Sequence, residues 1–227
     1  MKKSKQLYTK YRHLFVCIIY FIFYMTVFCY AEQKVTKNYQ VIHMGIDDYI
    51  PFCEVFIIPY ILWFGYVALS VLYFGFTSKD DYYRTCLFLF TGMTVFLVVS
   101  LLFPNGHHLR PTEFPRDNVF THMVAALYRT DTPTNLWPSI HVYNSLGVHF
   151  AIMHSRQFEH KRSVRIGSFL LCSLIILSTV FLKQHSMFDV LTAFVMAAIM
   201  YAVVYRYDLI GQFQSGDKRH KVKTQVG

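Results

Sequence analysis

Residues 83–103 read YRTCLFLFTGMTVFLVVSLLF and run straight into Pro104-Asn105-Gly106-His107-His108-Leu109-Arg110-Pro111. The first stretch carries one charge, Arg84, at its beginning, and as a helix it is long enough to cross about 30 Å of hydrocarbon. The second stretch is polar and cationic. An apolar run that ends abruptly in histidine and arginine is the pattern of a membrane span opening onto a polar site.

The rest of the chain repeats this pattern. Of 227 residues, 54% are hydrophobic and only 15% charged, with a mean hydropathy of +0.32, more apolar material than a soluble core of this size needs. Runs of roughly 17 to 25 apolar residues predict six spans. They lie near 14–30, 50–76, 83–103, 138–153, 164–182 and 188–205, the fourth being short and interrupted by Asn144 and His149. The expected fold is therefore all-α: an integral membrane bundle of six transmembrane helices. It forms one domain over 1–227, with the chemistry-bearing motifs in 104–189 and a polar tail at 212–227.

Charge orients the bundle. Of the 22 Lys and Arg, only Lys34, Lys37, Arg110, Arg116, Arg129 and Lys183 fall in the loops 31–49, 104–137 and 183–187. The positive-inside rule then puts both termini in the cytoplasm and those three loops outside. The basic leader Lys2, Lys3, Lys5, Lys10, Arg12 before the first span could introduce a cleaved signal, but the long apolar stretch favours an uncleaved anchor. A formal charge of +9 whose members flank apolar runs reads as topology and gives no nucleic-acid surface. The five cysteines lie inside apolar runs at no metal-ligand spacing, so they read as packing residues.

Three polar groups fall at outer ends of spans. They are the cluster ending in Arg110-Pro111, Trp137-Pro138-Ser139-Ile140-His141, and the stretch from Ser178 through Lys183 and His185 to Asp189. If the last helix begins near Gln184, His185 and Asp189 share one face. The carboxylate can then fix the imidazole tautomer and leave the other ring nitrogen free to attack. Asp47 and Asp48 read as caps of the second span. His107 and His108 cannot share a helical face and read as loop residues; His122 and His149 match no motif and read as structural.

In Arg110-Pro111, Pro138-Ser139-Ile140-His141 and Ser178-x6-His185-x3-Asp189 the chain resembles the type 2 phosphatidic acid phosphatase superfamily, over about residues 100–205. The resemblance implies phosphoryl transfer through a phosphohistidine, with no metal and no cofactor. In it His185 is the nucleophile, Asp189 orients it, and His141 protonates the leaving oxygen and then activates water. It also implies a phosphate cradle of Arg110, Ser139 and Ser178 with the first N–H groups of the fourth helix. The implied partners are a lipid phosphate substrate and the surrounding membrane lipids.

The chain departs from the family pattern at Phe103, Ile140 and Thr179, which stand where the family has Lys, Gly and Arg. Lys183, ahead of Arg116, is the expected replacement charge. These departures bring the chain closer to inositol phosphorylceramide and sphingomyelin synthases, which it resembles in keeping His, His and Asp, and in which a lipid alcohol takes the phosphoryl group. Three functions therefore stay open: a lipid phosphatase, a headgroup phosphotransferase, and a non-catalytic lipid-binding or transport protein on the same fold.

Overall fold

A computed structural model describes residues 11–34 and 38–208. The leader up to Lys10, Lys37 and the tail 212–227 lie outside the described residues. Seven helices follow in order: α1 (Leu14–Lys34), α2 (Ile57–Thr77), α3 (Lys79–Leu102), α4 (Val119–Thr130), α5 (Ile140–His154), α6 (Arg162–Phe181) and α7 (Met187–Tyr201), the last extended by a π turn, Ala202–Arg206. All five cysteines are free.

Five of these helices are long and apolar enough to cross a membrane: α1, α2 with its preceding 3₁₀ turn, α3, α6, and α7 with its π turn. Their outward faces are apolar, with Ile19 67%, Leu69 69% and Val195 62% exposed, which suits hydrocarbon surroundings better than water. The expected fourth span is different. α5 has 15 residues, a rise of about 22 Å, and falls short of a full crossing.

Enclosure distinguishes α5 from its neighbours. It packs against α2, α3, α6 and α7, and Val142 through Val148 are buried without a break, so no face of this segment is left open. Reciprocal small-to-large packing brings α5 close to α3. Gly92 lies under the Tyr143 ring and Gly147 under Phe88, where an added Cβ would meet ring atoms at 2.0 and 2.5 Å. Tyr143 also donates to the Phe88 carbonyl at 2.8 Å, which disposes of a buried hydroxyl.

The stretch 104–137, expected as a loop, contains α4. Asn118 caps it by accepting from the N–H groups of Phe120 and Thr121, while its own N–H donates to the Thr121 hydroxyl. At 12 residues α4 is too short to span; it buries Val124 beside Ile57, Tyr60 and Leu182. Above the helix ends, β1 (Gln40–Val41) pairs in parallel with β2 (Asn105–Gly106), and Gly106 bridges Thr134. Asn105 Oδ1 accepts from the N–H groups of Leu136 and Trp137 at 2.9 and 3.0 Å, tying this platform to the entrance of α5. α1 joins it through Glu32, which accepts from Asn135 and Thr132.

Candidate active site

The turn between α6 and α7 decides where the nucleophile candidate stands. α6 ends in a Schellman motif: the Lys183 N–H donates to the Val180 carbonyl at 3.1 Å and the Gln184 N–H to the Thr179 carbonyl at 2.9 Å. Lys183 sits at the left-handed position (φ 52°), normally Gly or Asn, at a cost of about 1 kcal/mol. Its ammonium donates to the Asp47 carbonyl at 2.7 Å. One of its three N–H donors thus holds the turn against the segment around Asp47, and burial pulls its pKa down.

His185 precedes α7 instead of lying within it. Ser186 is the N-cap, its hydroxyl accepting from the Phe188 N–H, and Asp189 completes a capping box by accepting from the Ser186 N–H at 3.0 Å. The same Asp189 oxygen lies 3.2 Å from His185 Nδ1. The predicted pairing is therefore present, but a capping box makes it, not a shared helical face. A carboxylate only accepts, so the proton belongs on Nδ1; Nε2 keeps its lone pair and has no partner among the described residues.

His141 stands one residue inside α5, whose N-cap is Ser139. Its ring centroid is 5.7 Å from that of His185 and is covered by Tyr60 at 4.5 Å and Trp63 at 4.2 Å. His141 Nε2 is buried without a hydrogen-bond partner among the described residues. The Ser139 N–H donates to the Asp189 carbonyl at 3.4 Å, fastening the start of α5 to that of α7. Both helix N-termini thus adjoin the histidine pair, where their dipoles favour an anion.

Arg110 reaches the site through Gln184. Its guanidinium donates to Gln184 Oε1 at 2.5 Å and to the carbonyls of Asp131, Thr132 and Tyr128 at 2.7, 3.3 and 3.4 Å, and it stacks 4.4 Å from the Tyr128 ring. Only Nε is left without a partner among the described residues, so a bidentate hold on a phosphate would require giving up one of the longer bonds. The Asp131 carboxyl, 3.9 Å away, is pushed upward in pKa by burial and pulled back by Arg110. Ser178 does not join the site: it is fully buried, and its hydroxyl donates to the Ile175 carbonyl at 2.6 Å. Phe103, at the family's Lys position, is exposed at the end of α3.

Several contributors were not legible in the sequence. Gln184 is buried beside His185, bonded to Arg110 through Oε1, with its own Nε2 unpartnered among the described residues. Asp47, read as a cap of the second span, instead accepts from the Ser186 hydroxyl at 2.6 Å and the Met187 N–H at 2.8 Å, and also from the Met44 N–H. His107, read as a loop residue, is buried between the Leu109 N–H, which donates to Nδ1 at 3.2 Å, and the Gln184 carbonyl, 2.9 Å from Nε2. Those partners fix the neutral tautomer with its proton on Nε2.

Burial pushes the His107 pKa down to about 4. Between that value and the ordinary 6.5 the unfolded chain binds a proton that the folded protein excludes. Stability is accordingly full above this window and falls as the pH drops through it. From pH 7 to pH 5 the wild type is expected to lose on the order of 2 kcal/mol more than His107→Gln, which keeps a donor and an acceptor but does not titrate. Unfolding curves in detergent at the two pH values check this, and parallel pH dependence in the two proteins would refute it.

Among the described residues no three His, Cys, Asp or Glu side chains gather at metal-binding spacing. The arrangement offers a nucleophilic imidazole oriented by a carboxylate, a second imidazole facing it, and one guanidinium beside them. Compared with known proteins, the chain matches no family model, no curated protein and no solved structure.

Proposed function

We propose that the protein is a lipid phosphatase of the type 2 phosphatidic acid phosphatase kind, embedded in the cell membrane by six spans, with both termini cytoplasmic and the site at the outer face. The observation that carries this is the pair of imidazoles: His185, paired through Nδ1 with Asp189 and open at Nε2, and His141, 5.7 Å away with its Nε2 unpartnered. The fourth span, α5, would be completed by the loop residues flanking it. The charge count orients the bundle.

In the reaction, His185 Nε2 attacks the phosphorus of a lipid phosphate monoester or pyrophosphate and forms a P–N bond. The bond to the lipid oxygen breaks as His141, protonated, donates to that oxygen. Neutral His141 then takes a proton from water, whose oxygen attacks phosphorus, cleaves the P–N bond and frees phosphate and His185. The Arg110 Nε–H, the Gln184 amide and the first N–H groups of α5 offset the charge on the non-bridging oxygens. Phosphatidic acid, phosphatidylglycerol phosphate and polyprenyl diphosphate are the substrate classes.

A second reading, headgroup transfer to a lipid alcohol, is favoured by the aromatic cover on His141, since Tyr60 and Trp63 present ring faces where water must be activated. The test is release of free phosphate from those three lipids by the purified protein, with and without a lipid alcohol. His141→Ala is expected to be slower by about 10²-fold or more. No product from any of them, or equal rates in His141→Ala, would overturn the reading. A new phospholipid in place of free phosphate would select transfer.

A further inference from the structure

A groove of about 590 Å³ lies far from the histidine pair. It opens between the end of α5 and the start of α6. α5 begins at His141 and α6 runs back toward His185, so this groove is at the opposite end of both helices, about 20 Å along α5. Nothing in the proposed chemistry uses it.

Its lining is divided by chemistry. At the rim are Arg162 and Arg165 with His160 and a single carboxylate, Glu159; further along are Met153, Ile166 and Phe169. Ile166 is 47% and Phe169 57% exposed, so an apolar slot continues about 10 Å from the cationic rim along α6. The Arg162 side chain makes no hydrogen bond or ion pair with any described residue. Among the described residues Arg165 is held only by the Met153 sulfur, a weak acceptor, at 3.3 Å and by the Glu159 carbonyl in a long bond of 3.4 Å. Behind the rim, His149 Nδ1 and the Tyr66 hydroxyl meet Ser168 Oγ at 3.0 and 2.6 Å, a polar wall at a depth where such groups are costly.

We propose that this groove binds an anionic phospholipid of the surrounding membrane. Arg162 and Arg165 hold its phosphate, and Ile166 and Phe169 hold the start of an acyl chain. Two guanidiniums against one carboxylate give the rim a net positive charge. The apolar slot distinguishes a lipid from free phosphate, and the uncapped start of α6, where Lys161 supplies no side-chain bond, adds to the field.

The experiment is photocrosslinking of the purified full chain with a photoactivatable phosphatidylglycerol, followed by peptide mapping. Phosphatidylglycerol carries no phosphate monoester, so it is not the substrate class proposed above. Labelling is expected within 149–169 and should be unchanged in His185→Ala, which separates this groove from the active site. It should fall roughly thirtyfold at limiting probe in Arg162→Ala/Arg165→Ala and return in the double Lys variant. Glu159→Gln, which removes the one like charge, should strengthen it. Labelling confined to other segments would overturn the proposal. So would equal labelling by a phosphatidylcholine probe, or insensitivity to both the arginine pair and Glu159.

Discussion

Asp189→Asn is expected to fold with α7 intact and to lose about 10⁴-fold in phosphate release, the scale seen when the carboxylate orienting a catalytic imidazole becomes an amide. The two roles of Asp189 separate cleanly in this variant. As third residue of the helix it accepts from the Ser186 N–H, and an asparagine oxygen can do the same, so the capping box survives. The same oxygen faces His185 Nδ1, so the amide can keep both bonds but carries no negative charge to stabilise the imidazole as it turns cationic on attack. His185→Ala should show at least as large a loss, since it removes the attacking nitrogen itself. Rates of phosphate release from phosphatidic acid, with circular dichroism as the check on folding, measure both. Wild-type turnover in Asp189→Asn would remove His185 from the nucleophile role.

That variant also shows how far sequence reading reached. The spacing of His185 and Asp189 predicted their contact, because a four-residue interval brings side chains together through a helical face or through a capping box equally well. Only the structure distinguishes the two, since the difference lies in where α7 begins. Because burial in hydrocarbon needs uninterrupted apolar length, apolar runs located the long helices to within about four residues at each end, except that α2 begins at Ile57, seven residues after the expected start at 50. The same criterion hid α4, whose 12 residues bury one face against Ile57 and Leu182 under a loop-like composition. Tyr60 and Trp63 were invisible for a related reason: an aromatic residue inside an apolar run reads as packing, and only the approach of α5 turns it toward His141. Lys183 was legible as a cation but not in direction, which its left-handed backbone sets.

Asp47 is the residue least available to sequence reasoning, because its partners lie about 140 positions away. Its carboxylate accepts from Ser186 and Met187, just after His185, and its carbonyl accepts from Lys183, two residues before. One aspartate thus brackets the turn that carries His185 from both sides. Asp47→Ala leaves the Ser186 hydroxyl and the N–H groups of Met187 and Met44 without acceptors in a buried setting, at an expected cost of about 3 to 5 kcal/mol. The backbone bond to Lys183 is formally retained, yet it holds the turn only while the segment around Asp47 stays docked on α7. The rate should therefore fall through kcat with KM little changed, since His185 loses its aim and no phosphate contact is removed. Asp47→Asn, which retains one acceptor oxygen, should lie between the two. Unfolding in detergent and amide exchange at Met187 measure the structural effect. An Asp47→Ala protein as stable as the wild type, with Met187 equally protected, would show that the turn holds itself through the Schellman motif and capping box alone.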